Sequence, residues 1–145
     1  MSVKYLGFSA SIMLLASSAI ADGDAASGEK VFNQCQSCHI VANEAGEVLA
    51  GRNGRQGPNL YGIVGRIAGS YPGFRYGDGL LAMADAGMAW DSEMLVSYLA
   101  DPTSFVREAT GNKRAKAKMS FRLRNAQDAA DVIAFITSLS PAAGN

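Results

Sequence analysis

The sequence predicts an all-α domain closed around something large and apolar. Helical hydrophobic periods stand towards both ends of the chain, while from Val41 to Trp90 eleven glycines punctuate a stretch in which no helical period persists. So much irregular backbone in a chain of 145 residues leaves little room for a conventional core. A bulky apolar group to wrap around resolves that shortage.

The first element lies before the domain. Lys4 supplies a positive start, Ile12 to Ala16 with their neighbours an apolar run, and Ala19-Ile20-Ala21 a small-x-small cleavage pattern, which together read as an export signal cut after Ala21. The apolar run falls short of the roughly 20 residues that a spanning helix needs. Residues 1–21 are therefore expected to be a signal peptide and residues 22–145 a single domain of 124 residues exported to the periplasm.

Three helices are expected within that domain. The first runs from Asp22 to about Gln36 with Gly28 and Phe32 on one face. The second is capped by Asp91, with Trp90 and Leu95 as a hydrophobic staple; it carries Met94, Leu95, Tyr98 and Leu99 and stops before Pro102. A loop is expected from Thr103 to Leu123. Asn125 then caps a final helix with Asp128 at its third position, an apolar stripe of Ala129, Val132, Ile133 and Ile136 with Phe135 at its margin, and a stop at Pro141.

The first helix runs into Cys35-Gln36-Ser37-Cys38-His39, the CxxCH signature of covalent haem attachment. Two thiols three residues apart share one face of a helical turn, where each can add to one vinyl group of a porphyrin, and the adjacent imidazole can reach the iron. The chain has two Cys and one His, and all three fall in this pentapeptide. A thioredoxin-like disulfide is disfavoured because no βαβ pattern surrounds Cys35. A zinc site needs four N or S ligands and finds three. In an exported chain the neighbouring thiols would tend to oxidise to a disulfide unless another covalent fate consumed them, as thioether bonds do.

With His39 on one side of the iron, no second His can take the other. A thioether opposite His raises the reduction potential relative to harder donors. Met1 and Met13 leave with the signal; Met83, Met88 and Met94 read better as gap-filling core residues. Met119, in the extended Lys116-Ala117-Lys118-Met119-Ser120-Phe121 stretch, must bury its sulfur while its cationic neighbours stay wet. Spacing alone favours it without excluding the other three.

The ordered landmarks CQSCH, Gly57-Pro58-Asn59-Leu60-Tyr61-Gly62, Gly65-Arg66, Trp90, Tyr98-Leu99-Ala100-Asp101-Pro102 and Lys118-Met119-Ser120-Phe121 resemble those of class I cytochromes c. The long Val41 to Gln56 segment, with AGRNGRQGPNLYGIVGR, is similar to the bacterial cytochrome c2 group. The resemblance spans essentially the whole mature chain. It implies helices with long Gly-rich loops wrapped around one covalently bound haem c, with His39 and Met119 as axial ligands. It further implies that the Pro58 carbonyl accepts a hydrogen bond from His39, that Tyr98 places its hydroxyl near the Met119 sulfur, and that Arg66, Tyr76 and Trp90 hold the haem propionates. Gly28, Phe32, Val132 and Phe135 match the contact between first and last helices.

Charge bears on the partner. The chain after Ala21 carries 12 basic and 13 acidic side chains, a net of −1, yet Arg107, Lys113, Arg114, Lys116, Lys118, Arg122 and Arg124 face only Glu108 within one stretch, a local +6. Such a run by itself is a solvated face; around a haem edge it reads as a docking face for an acidic partner. Nucleic acid is excluded by the near-neutral whole, the missing binding motif and the export signal. The expected protein is a soluble monomeric one-electron carrier, not an enzyme. Its expected partners, by resemblance, are a cytochrome bc1 complex as donor and a photosynthetic reaction centre or a terminal cytochrome oxidase as acceptor. A peroxidase or a gas-binding cytochrome would instead need an open iron position.

Overall fold

Residues 22–140, the part of the chain that this computed structural model describes, hold five helices and one short hairpin joined by irregular loops. The expected signal, its boundary after Ala21 and the expected helix stop at Pro141 lie outside the described residues. Helix α1, Ala25–Phe32, starts where the Asp24 carboxylate accepts the Ser27 N–H at 2.8 Å, and is shorter than expected at both ends. Past Phe32 the chain continues through turns, with the His39 N–H on the Cys35 carbonyl at 2.9 Å, so the attachment pentapeptide still occupies one coiled turn.

The last helix, α5, spans Ala126–Ser138, and Asn125 caps it through the Gln127 and Asp128 N–H groups. It crosses α1 at Gly28, which faces the Asp131 carbonyl so closely that no Cβ would fit. Phe32 and Phe135 meet beside it with ring centroids 5.6 Å apart. Asp131 is buried in this crossing and is satisfied there, accepting from the Asp24 N–H and from Gln127 Nε2, each at 2.8 Å. Helix α3, Ser92–Ala100, begins as expected with the Met94 N–H on Asp91 at 2.7 Å, and packs on α5.

Two helices and a hairpin depart from the sequence reading. Residues 103–110 are not loop: α4, Pro102–Thr110, follows α3 with only Asp101 between them. Proline ends one helix and starts the next. Asp101 is extended (φ −156°, ψ 93°), as a residue before proline prefers, while Pro102 fits the first helical position and the Asp101 carboxylate accepts the Ser104 N–H at 3.0 Å. Gly111, at φ 66°, closes α4 in the left-handed conformation.

The Gly-rich middle also holds a helix, α2, Asp78–Asp85, with no side-chain cap at Gly77. Its propensity is weak, and tertiary packing forms it: Gly79 lies where a Cβ would stand only 2.9 Å from Val106 Cγ2, so α2 and α4 approach closely through that glycine. Met83 and Val106 are fully enclosed, each burial stabilising the pair by about 1.5–3 kcal/mol. Strands β1, Val41–Ala42, and β2, Val48–Ala50, pair antiparallel, Val41 opposite Ala50 and Ala42 opposite Val48. Two strands this short leave the molecule all-α in class. Among the described residues no helix is long and apolar enough to cross a membrane.

Candidate functional site

The helices enclose a cavity of about 280 Å³ whose wall is mostly apolar: Leu60, Ile63, Leu80, Leu95, Leu99, Val132, Ile133 and Ile136 among others. Cys35, Cys38 and His39 enter it from one side and Met119 with Phe121 from the Met-bearing loop. Pro58, Tyr76, Trp90 and Tyr98 complete the set of expected site residues on its wall. Arg66 alone does not line it.

On the His39 side the backbone does the work. His39 Nδ1 stands 2.8 Å from the Pro58 carbonyl, the contact expected from the sequence, so that nitrogen carries the proton and Nε2 keeps its lone pair. Burial lowers the imidazole's basicity and the Pro58 carbonyl partly opposes it, a balance that favours a neutral ring. Gly57 packs against the ring with no space for a Cβ, and its N–H bonds the Cys38 carbonyl at 2.9 Å. Gly54 is buried on the Cys38–His39 peptide, and Gly51, at φ 87°, turns the strap back towards the His39 carbonyl. The repeat of glycine at every third position from 51 to 57 was visible in the sequence, and this close approach is its purpose.

Cys35 and Cys38 are not joined to each other, which leaves both sulfurs available for attachment. Burial first, and the neighbouring Cys38 second, push the Cys35 thiol up to about 11. Gln56, which the sequence reading passed over, brings Oε1 to 3.8 Å from Cys38 Sγ.

The opposite side is a loop rather than a motif. Met119 is half-buried between exposed Lys118 and Ser120. Five contacts hold the loop: Arg107 Nε to the Ala115 carbonyl at 3.0 Å, the Ala117 N–H to Thr103 Oγ1 at 3.4 Å, Lys118 Nζ to the Arg75 carbonyl at 2.6 Å, Arg122 to Asp101 at 3.2 Å, and the Leu123 N–H to the Leu99 carbonyl at 2.8 Å. Met83 is fully buried, and neither it nor Met88 or Met94 faces the cavity.

Trp90, Tyr98 and Phe105 form one aromatic cluster, Trp90 lying 5.1 Å from Tyr98 and 5.8 Å from Phe105. Burial, with a smaller contribution from Tyr76, raises Tyr98 to about 12, so its phenol is a neutral donor at any ordinary pH. Arg66 stands behind the wall, donating from Nη1 to the Asn59 carbonyl at 2.9 Å and from Nη2 to the Tyr61 carbonyl, with its guanidinium 5.0 Å over the Tyr71 ring.

These residues fit a haem. Two cysteine sulfurs, an imidazole with its second nitrogen available and a thioether line an apolar cavity, together with phenol and indole side chains. Among the described residues no group of three His, Cys, Asp or Glu could hold a bare metal ion.

No family model matches the chain. It is 51% identical over 120 residues to a cytochrome c2 of Fuscovulum blasticum, covering 83% of this chain and 76% of that relative. It is 41% identical over 140 residues to the cytochrome c2 of Rhodobacter capsulatus, covering 96% of this chain and 98% of that one. The crystal structure of cytochrome c2 from Rhodobacter sphaeroides superposes with a TM-score of 0.78 at 46% identity, over 80% of this chain and 95% of the other.

Proposed function

The chain belongs to the cytochrome c2 family of haem electron carriers, and from that premise we propose that it is a periplasmic one-electron carrier with His39 and Met119 as the axial ligands of its haem. The observation that carries the reading is that Cys35, Cys38, His39 and Met119 all face one apolar cavity. The family carries one covalently bound haem c, which supplies a one-electron couple between ferrous and ferric iron.

In this reading Cys35 and Cys38 provide the two thiols for attachment, and His39 offers Nε2 in an orientation set by Pro58. Met119 provides a soft thioether from the loop across the cavity. Leu80, Leu95, Ile133 and Ile136 keep water from the site, which limits the solvent rearrangement that accompanies each change of charge. Tyr76, Trp90 and Tyr98 present polar tips at the cavity wall, suited to propionate groups and to the Met119 sulfur.

Export of the chain follows from the signal pattern of residues 1–21, with the domain beginning at Asp22. The seven cations from Arg107 to Arg124 are all exposed and flank the Met119 loop, which supports docking of an acidic partner there: a cytochrome bc1 complex as donor, a photosynthetic reaction centre or cytochrome oxidase as acceptor. Mass spectrometry of the secreted protein with carbon monoxide titration of the reduced form tests the reading. One added haem and no ready carbon monoxide binding are expected; absence of a prosthetic group, or ready binding to the native ferrous protein, would overturn it.

A further inference from the structure

Arg66 is a half-buried cation with no carboxylate beside it: among the described residues the ion pair present joins Arg122 to Asp101. Its Nη atoms are taken by two backbone carbonyls, and its flat face rests on Tyr71. Tyr71 makes two further contacts around it. Its backbone N–H donates to the Tyr76 hydroxyl oxygen at 3.2 Å, and its own hydroxyl accepts from Asn59 Nδ2 at the long distance of 3.5 Å. Asn59 and Tyr76 are in turn the residues beside Arg66, one through its carbonyl and the other through its phenol. Arg66 and two of its neighbours, Asn59 and Tyr76, thus all contact Tyr71, a residue that neither the motif nor the family resemblance singled out.

We propose that Tyr71 is a positioning residue whose ring holds Arg66 as a fixed, water-poor positive charge behind the cavity wall. The inference rests on the haem reading above. A guanidinium cannot shed its proton in a protein, so the charge is permanent, and what the surroundings control is its distance and its screening. The Tyr71 ring covers one face of the cation and excludes water from it. A permanent cation close to a redox centre favours the form with the extra electron. Loss of the Tyr71 ring admits water, screens Arg66 and lowers the midpoint potential.

The test is redox titration of the haem-loaded protein as wild type, Tyr71→Leu, Tyr71→Met and Tyr71→Trp, each also in an Arg66→Gln background. Leu and Met fill the site without an aromatic face; Trp keeps one. The expected result is a lower midpoint potential for Tyr71→Leu and Tyr71→Met, a wild-type potential for Tyr71→Trp, and no further fall on adding any of them to Arg66→Gln. A potential unchanged in Tyr71→Leu and Tyr71→Met overturns the inference. So does a fall of equal size with Arg66 absent, which would mean that Tyr71 acts by another route. Where the leucine and methionine variants fail to accumulate, a lowered potential in Tyr71→Trp overturns it as well. A wild-type protein with no haem defeats the parent reading; a haem protein indifferent to the Tyr71 ring defeats this inference alone.

Discussion

The two sides of the cavity are built by opposite means. On the His39 side the imidazole is set mainly by backbone within 25 residues: the Cys35 to His39 turn, the Gly51 to Gly57 strap lying on it, and the Pro58 carbonyl on the imidazole. On the Met119 side the loop is tied by side chains and carbonyls drawn from α3, α4 and the segment before α2. The difference teaches where rigidity lies. One residue of bulk at the wrong glycine disables the first side, whereas the second yields clamp by clamp.

The largest expected effect is therefore Gly57→Ala. Its Cβ would occupy the space of the His39 ring, so the haem-loaded protein should lose about 3 kcal/mol or more of stability, at the upper end for overpacking, measured by denaturant unfolding. A loss within 0.5 kcal/mol would show that the strap can move away and that the His39 side is not rigid.

Next in size is the dependence of docking on salt. The exposed cations around Met119 should make reduction by a membrane partner slow by about tenfold or more between low and high ionic strength in stopped-flow experiments. A flat profile would separate the Met119 side from the docking face. Arg107→Ala, which removes the hydrogen bond to the Ala115 carbonyl, should cost about 1 kcal/mol and raise amide exchange in residues 112–118 without touching that of Gly57 or Leu60. Equal acceleration on both sides would erase the contrast.

The smallest effect concerns acid. The Ser104 N–H above all, and Arg122 after it, hold the Asp101 carboxyl below its usual range. A depressed carboxylate contributes stability that is complete above its unfolded value of about 3.9 and is lost as pH falls through the folded value. Asp101→Asn keeps a capping oxygen but not the charge, so its unfolding should depend less steeply on pH below about 4 than that of the wild type. Identical acid limbs would remove Asp101 from the loop's clamps.

What was legible in the sequence follows the same division. Cys35, Cys38 and His39 are read from adjacent letters, and Asp91 and Asn125 from capping chemistry one turn long, because local physics fixes them. Helix α4 was hidden by Pro102, which signals a stop as strongly as it permits a start, although Asp101 before it carried the cap. Helix α2 was hidden by Gly79, which lets Val106 approach and is silent about that partner until the fold is known. Arg66 is held by carbonyls and a ring five to seven residues away within one irregular loop, whose path no periodicity announces. Met119 was favoured by its wet neighbours and singled out by the family resemblance; it lines the cavity, and Met83, Met88 and Met94 do not.

The weak ferric absorption band near the red edge of the visible spectrum, which reports an iron to thioether bond, tests the central claim most directly. The account predicts the band in the wild type and in Met83→Ala, Met88→Ala and Met94→Ala, and its loss in Met119→Ala. A band that survives in Met119→Ala, or that is absent from the wild type, would contradict it.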